Sequence, residues 1–232
     1  MGLLRAQAAA CRTLEVATAA KPLSGRLTQD VDQVLSLREG LFGALAACAP
    51  PEMSEEIGTR ALEPASTAAS RLAVYWSDEP EARDDYLARV LLRPYVESLA
   101  CLGIAPDRLH RNGRCPFCGG PPVISSRRSE PDSHGAQRHL GCALCGGEWG
   151  FNRIRCPSCD EDDPEKLPTF QGAPHPLVRI EACDVCKRYV KSIDLTLDAR
   201  PIPEVDDLVS ISLDLWALEQ GYSRIEPGIA GI

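Results

Sequence analysis

Eight cysteines in the second half of the chain have the types and spacing of metal ligands. They form four Cys-x-x-Cys pairs, which are Cys115/Cys118, Cys142/Cys145, Cys156/Cys159 and Cys183/Cys186. Two thiolates three residues apart on a tight turn can face one ion, and a tetrahedral site with metal–sulfur bonds of about 2.3 Å needs two such turns. The pattern therefore predicts two metal sites with four thiolates each, and all eight cysteines as ligands.

The four pairs also form a repeat. Adding 41 to each of the first four positions gives the last four, and the stretches 114–154 and 155–195 match without gaps at further positions, among them Arg138 with Arg179 and His134 with His175. The repeat predicts two tandem copies of one module. It favours ligands from within one copy: Cys115, Cys118, Cys142 and Cys145 for one ion, and Cys156, Cys159, Cys183 and Cys186 for the other. An interleaved arrangement, in which the first pair shares an ion with the third, stays open.

The chemistry of such sites is structural or redox chemistry rather than hydrolysis. Sulfur-only tetrahedral sites suit zinc or iron, and four thiolates leave no position for a reactive water. Because the sequence also has no Gly-rich phosphate loop and no nucleophile–base arrangement, we predict that the protein is not an enzyme. The histidines are predicted to be turn or surface residues; they are His110, His134, His139 and His175.

The turns of the two copies differ in sequence. Glycine follows both pairs of the first copy, at Gly119 and Gly146, whereas the second copy has Asp160 and Lys187 at these places. A glycine relieves the backbone as it curls around the sulfur. The second copy is therefore expected to have turns that are less rubredoxin-like.

Composition restricts the location and the partners. The 232 residues carry a formal net charge of −8, and 44% of them are hydrophobic. No stretch is apolar enough to span a membrane, and residues 1–20 lack the pattern of a signal peptide, so reduced thiolates in the cytoplasm are expected. Residues 114–195 carry eleven basic and eleven acidic side chains. With no basic stripe to meet phosphate, no nucleic-acid partner is expected.

The elements around the cysteines predict an α+β protein. Helices are predicted over 1–110, among them 28–48 and 80–102, the latter with Asp78 as cap and a kink at Pro94. Short strands then carry the two rubredoxin-like or zinc-ribbon modules, at 114–154 and 155–198. A helix over about 204–220, with Leu208, Ile211, Leu215 and Leu218 on its apolar side, is predicted within a final segment, 199–232. The three other cysteines, Cys11, Cys48 and Cys101, are predicted to be small buried hydrophobes.

Three blocks of residues around and after the cysteines resemble the FdhE family of formate dehydrogenase accessory proteins. The first runs from Cys142-x-x-Cys145-x-x-x-Trp149 through Arg153 to Cys156-x-x-Cys159, and the second is Cys183-x-x-Cys186-x-x-Tyr189-Val190-Lys191. The third runs from Asp206-Asp207-Leu208 through Leu213-Asp214 to Glu219-Gln220-Gly221-Tyr222-Ser223-Arg224, and the opening Cys115-Pro116-x-Cys118-Gly119 also fits. The resemblance covers residues 114–224. The chain begins later than is usual for the family.

The resemblance implies a helical N-terminal domain, two rubredoxin-like modules and iron in their sites. It also implies a non-enzymatic factor in the cytoplasm that acts on the catalytic subunit of an exported, molybdenum-type formate dehydrogenase before translocation. A homodimer is compatible with the sequence. Two alternative functions stay open: a zinc-ribbon regulator that binds nucleic acid, and a rubredoxin-like electron-transfer protein.

Overall fold

A computed structural model describes residues 2–17, 21–79, 85–129 and 135–228, with the side chains of 15–17 left undescribed. The chain divides into two compact units, Met1–Leu109 and His110–Ile232. The first unit is helical and the second contains a sheet followed by two helices. The predicted α+β class, with a helical region before a sheet that carries the cysteines, is confirmed.

Helices account for the regular structure described in the first unit. They are α1 (Gly2–Ala17), α2 (Leu27–Leu35), α3 (Arg38–Ala46), α4 (Pro51–Ala61), α5 (Ala65–Trp76) and α6 (Tyr86–Leu102). The predicted helix over 28–48 is thus two helices, separated at Ser36 and Leu37. None of the described helices of the chain combines the length and the apolar character that a membrane-spanning helix needs.

Helix α6 begins later than the sequence predicts. Its N-cap is Asp85, whose carboxylate accepts a hydrogen bond from the Ala88 amide at 2.9 Å. The predicted cap, Asp78, instead adopts a left-handed φ of 57° after α5, and the predicted start at 80–84 lies outside the described residues. The helix continues through Pro94, and the Ser98 hydroxyl donates to the Pro94 carbonyl oxygen at 2.9 Å.

The prediction of buried cysteines in the helical unit is wrong for two of the three. Cys48 and Cys101 are exposed, and Cys11 is half-buried beside Ser98, with its Sγ 3.2 Å from the serine Oγ. A thiol is small enough to sit on either side of a helix at little energetic cost, so its residue type alone does not fix its burial.

In the part of the chain that the structure describes, one sheet of seven strands runs through both predicted copies. The strands are β1 (Pro122–Ser129), β2 (Ala136–Cys142), β3 (Glu148–Gly150), β4 (Thr169–Gln171), β5 (Val178–Ala182), β6 (Arg188–Asp194) and β7 (Ser223–Arg224). Their order is β3-β2-β1-β6-β5-β4, and β7 pairs with β6. Antiparallel hairpins lie within each copy, and the parallel pair of β1 with β6 joins the two copies. The two predicted modules therefore share a continuous sheet.

The two faces of this sheet differ in chemistry. Along β5, Val178, Ile180 and Ala182 are buried and alternate with half-buried polar residues, as expected for a strand with one apolar face. The buried side chains pack in one cluster with Leu213 and Ala217 of the C-terminal helices. That face of the sheet holds the hydrophobic core of the second unit.

The predicted C-terminal helix consists of two helices, α7 (Pro203–Val209) and α8 (Ile211–Glu219), which meet at Ser210. The predicted apolar side is wrong, because its residues are exposed by between 38% and 52%; they are Leu208, Ile211, Leu215 and Leu218. Instead Asp207, Leu213, Asp214 and Ala217 are buried. Gly221 follows α8 with a φ of 81°, the left-handed conformation that suits a residue after a helix end.

Candidate metal centres

The four sulfurs of the first copy form a small cluster. One ligand atom from each of Cys115, Cys118, Cys142 and Cys145 lies within 4.8 Å of the others. The Sγ–Sγ distance is 3.6 Å between Cys115 and Cys145 and 3.4 Å between Cys118 and Cys142. A tetrahedron with metal–sulfur bonds of about 2.3 Å has edges of about 3.8 Å, whereas a disulfide bond is about 2 Å long. The donor set fits one four-coordinate ion and is not disulfide-bonded.

The second copy repeats this geometry. Sulfurs of Cys156 and Cys186 are 3.7 Å apart, and those of Cys159 and Cys183 are 3.6 Å apart. All four again lie within 4.8 Å of one another. The structure therefore brings the cysteines together within each copy and does not form the interleaved arrangement. That they bind metal stays a prediction, which this geometry supports.

Backbone hydrogen bonds build the cysteine turns. In every pair the amide of the first cysteine donates to the carbonyl oxygen five residues later, at 2.8–2.9 Å. These bonds run from Cys115 to Gly120, Cys142 to Gly147, Cys156 to Glu161 and Cys183 to Arg188. Each bond curls the chain so that the two sulfurs point to the same side. The local sequence of each turn is thus sufficient to place the two sulfurs of a pair on the same side.

The expected difference between the turns of the two copies is absent from the backbone. Gly119 and Gly146 have φ values of 64° and 69°, and the residues at the same places in the second copy, Asp160 and Lys187, have values of 64° and 55°. A residue with a side chain loses about 1–2 kcal/mol in this left-handed conformation. The turn hydrogen bonds and the shared cluster hold the second copy to the same shape despite that penalty.

Burial and hydrogen bonding set the protonation of the thiols. Burial raises the pKa of Cys142, and hydrogen bonding with a neighbouring thiol raises the pKa of Cys118 and of Cys156. Amides also donate to sulfur, as from Leu144 to the Cys142 Sγ at 3.4 Å. Because a cation binds thiolates, binding must displace the protons that these thiols retain. Metal affinity is therefore expected to fall as the pH falls.

The two clusters differ in exposure. Cys115, Cys118 and Cys142 are buried and Cys145 is half-buried. In the second cluster Cys159 is exposed. We therefore expect a chelator in solution to remove an ion from the second cluster more readily than from the first.

The described histidines do not join the sulfur clusters. His175 lies with Nε2 3.0 Å from the Ser212 hydroxyl, and His110 has Nε2 3.2 Å from the Phe117 carbonyl oxygen. His139 is half-buried on β2. His134 lies outside the described residues. Among the described residues, the two groups of side chains that could hold a metal ion consist of cysteines alone.

A buried charge network, which the sequence analysis missed, fixes the C-terminal helices to the sheet. Lys191 on β6 is completely buried, and its Nζ lies 2.6 Å from an Asp214 carboxylate oxygen and 2.8 Å from one of Asp207. Arg224 completes the network at 2.9 Å from Asp207 and 3.3 Å from Asp214. The Tyr189 hydroxyl donates to Asp214 at 2.7 Å. Among the described residues of this network, two cations face two carboxylates, so their charges balance.

A test of the first cluster is available at Gly120. A Cβ at this position would lie 2.8 Å from the Cys142 Sγ and 3.2 Å from the Cys118 Sγ. We expect Gly120→Ala to displace these sulfurs and to weaken metal binding at the first site, with a loss of stability of about 1–3 kcal/mol. Competition with a chromophoric chelator measures the affinity. Gly150→Ala is the matched control, because a Cβ there meets no atom within 4 Å; equal metal release from both variants would contradict the expectation.

The chain has a helical unit followed by a sheet with two four-cysteine clusters. This arrangement is typical of a protein with two zinc-ribbon-like sites. Two family models match this part of the chain: "FdhE, central domain" at residues 114–153 and "FdhE, C-terminal domain" at 154–229. Together they cover half of the 232 residues. The chain belongs to the FdhE family.

Individual relatives agree with this assignment. A "Protein FdhE homolog" of Aquifex aeolicus is 36% identical over 117 residues, which are 50% of this chain and 41% of the relative. One from Shewanella sp. MR-4 is 39% identical over 110 residues, 47% of this chain and 35% of the relative. The matched segments thus span about two fifths of these relatives' length.

A solved structure is similar in fold over nearly the whole chain. "The crystal structure of the FdhE protein from Pseudomonas aeruginosa" matches with a TM-score of 0.66 over 99% of this chain and 85% of that one, at 23% sequence identity. The fold of that protein therefore corresponds to the fold of this chain beyond the segments matched in sequence.

Proposed function

We propose that this protein is a non-enzymatic accessory factor in the maturation of formate dehydrogenase. The observation that carries the proposal is the continuous match of the FdhE central and C-terminal domain models over residues 114–229. Its partner is the catalytic subunit of an exported, molybdenum-type formate dehydrogenase, which it binds in the cytoplasm before export. Membership of the FdhE family supports the accessory role, and the partner and its timing are part of the proposal.

The chemistry of the cysteine clusters supports a role without catalysis at the metals. Each cluster supplies four sulfurs at tetrahedral spacing, so a bound ion has no free position for water or substrate. We propose that the eight cysteines hold two ions. Iron is the proposed metal, and zinc is the alternative. The ions stabilise the modules that present the protein's surface to its partner.

Deletion of the gene tests the accessory role. We expect formate dehydrogenase activity to fall in the deletion strain and to return when the wild-type gene is supplied. A copy with Cys101→Ser, at an exposed cysteine outside the clusters, is expected to restore activity equally. Unchanged activity in the deletion strain would overturn the proposal.

Co-purification tests the partner and the timing. A tagged copy is expected to retain the catalytic subunit when that subunit is produced with its export signal in a strain whose export is blocked. The mature subunit isolated after export is expected to bind less. Equal binding of both forms would contradict action before export, and binding of neither would exclude the catalytic subunit as the partner.

A further inference from the structure

Arginines converge on a cavity on the polar face of the sheet. The cavity has a volume of about 120 Å³, and its wall also contains Cys156 and Pro157 of the second module. Among the described residues, six guanidinium groups line it: Arg127, Arg138, Arg153, Arg155, Arg179 and Arg188. The balanced charge count of residues 114–195 gave no indication of this concentration, because such a count does not show where the charges lie in the fold; Glu181 also lines the cavity.

The sheet register explains why the arginines meet. Arg127 on β1 stands opposite Arg138 on β2 and opposite Asp194 on β6. Arg179 on β5 stands opposite Ser192, two residues from Asp194 on the same face of β6. Since side chains alternate between the faces of a strand, these residues share the face opposite the hydrophobic core. The parallel β1–β6 pair brings arginines of both copies to one place.

Acidic side chains neutralise only part of this charge. Arg138 pairs with Glu181 at 2.7 Å, and Asp194 pairs with both Arg127 and Arg179. Burial opposes ionisation of Asp194, but hydrogen bonds from Thr196 and the charges of the two arginines lower its pKa, so it is ionised. Asp162 lies 3.5 Å from Arg155 in an exposed position. A divalent ion in the neighbouring four-thiolate site would contribute a charge of about −2, which still leaves positive charge in excess.

Hydrogen-bond donors in the wall are also unused. The Nε atoms of Arg127, Arg155 and Arg179 are buried and have no hydrogen-bond partner in the part of the chain that the structure describes. A buried donor without a partner is unfavourable by about 1–3 kcal/mol. Three such donors in or next to the wall show that this face of the sheet has more hydrogen-bond donors than its own acceptors satisfy.

We propose that this cavity binds the phosphoryl or diphosphoryl group of a small molecule. Guanidinium groups match the oxygens of phosphate with paired hydrogen bonds, and the excess of positive charge favours a multiply charged group over a monocarboxylate. The cavity holds several water-sized groups but is too small for a nucleic-acid strand. The site is independent of the proposed accessory function and would operate whichever protein is the partner.

Calorimetric titration of the full-length, metal-loaded protein tests the site, with pyrophosphate, orthophosphate and acetate as probes. We expect pyrophosphate to bind more tightly than orthophosphate and acetate to bind least. Arg179→Gln, which removes a wall guanidinium, is expected to weaken pyrophosphate binding at least about tenfold. Arg153→Gln is expected to weaken it less; Arg153 is exposed, so its loss leaves the fold intact.

Arg200→Gln is the matched control, because it removes the same charge from a side chain that is 90% exposed and outside the cavity. Circular dichroism and metal content establish that each variant is folded. Absence of pyrophosphate binding to the wild-type protein would overturn the proposal, as would equal weakening by Arg200→Gln and Arg179→Gln. Tighter binding of acetate, or of a single-stranded oligonucleotide, than of pyrophosphate would also overturn it.

Discussion

Replacing Cys142 with serine is expected to remove one of two bound metal ions and to destabilise the second unit by at least about 4 kcal/mol, since the loss of a structural metal is among the largest effects of a single mutation. The Cys142 side chain is buried, its Sγ lies 3.4 Å from that of Cys118, and it accepts amide hydrogen bonds. A serine hydroxyl is a poor replacement for a soft thiolate ligand. Elemental analysis measures the ions per chain, and urea unfolding measures the stability.

Two serine variants serve as comparisons for Cys142→Ser. Cys101→Ser, at an exposed position in the helical unit, is expected to retain both ions and full stability. Cys159→Ser, at the exposed ligand of the second cluster, is expected to lose the second ion with a smaller loss of stability, because less structure is buried around it. Retention of both ions at wild-type affinity by Cys142→Ser would contradict the assignment of Cys142 as a ligand.

The second large effect is expected for Lys191→Met. This change leaves Asp207 and Asp214 buried with Arg224 as their remaining cationic partner, so one carboxylate charge is uncompensated. Removing one partner from a buried ion network destabilises a protein by about 3–5 kcal/mol. We expect the free energy of unfolding to fall by this amount in urea titration, with α7 and α8 detaching first.

An exposed ion pair provides the control for Lys191→Met. Arg200 pairs with Asp198 at 2.6 Å on the surface, and Arg200→Met is expected to change the stability by less than about 1 kcal/mol. The double variant Lys191→Met with Asp214→Leu restores the charge balance and is expected to recover part of the loss. If Lys191→Met were no more destabilising than Arg200→Met, the network would not be what holds the helices to the sheet.

The sulfur clusters could be predicted from sequence because their geometry is local. Each Cys-x-x-Cys turn closes its own backbone hydrogen bonds, so spacing alone specifies how two sulfurs are presented. The repeat then indicated which pairs belong together. The turns at Asp160 and Lys187 were predicted less well, because the shared fold overrides the preference of these residues for other conformations.

The C-terminal helices were predicted less well because buried charges decide their orientation. The apolar periodicity of Leu208, Ile211, Leu215 and Leu218 indicated a buried side, but Asp207 and Asp214 face the sheet. Their partners, Lys191 and Arg224, are distant in sequence, and no local pattern marks a cation that is buried. The family motifs did contain these residues, which was a signal that periodicity alone could not provide.

The arginine cavity could not be found by counting charges. A count over 114–195 adds the charges on both faces of the sheet. The parallel pairing of β1 with β6 joins residues that are distant in sequence, and the spacing of residues does not specify it. One signal was present: Arg138 and Arg179 occupy equivalent positions in the two copies. Residues that match in a repeat without being metal ligands were therefore the best indication of a second site.

Metal-edge X-ray absorption combined with elemental analysis, on protein purified without air, tests most directly whether the two clusters are metal sites. We expect two ions per chain, each surrounded by four sulfurs at about 2.3 Å, and the absorption edge identifies iron or zinc. One ion or none per chain, or nitrogen and oxygen ligands in place of sulfur, would contradict this expectation.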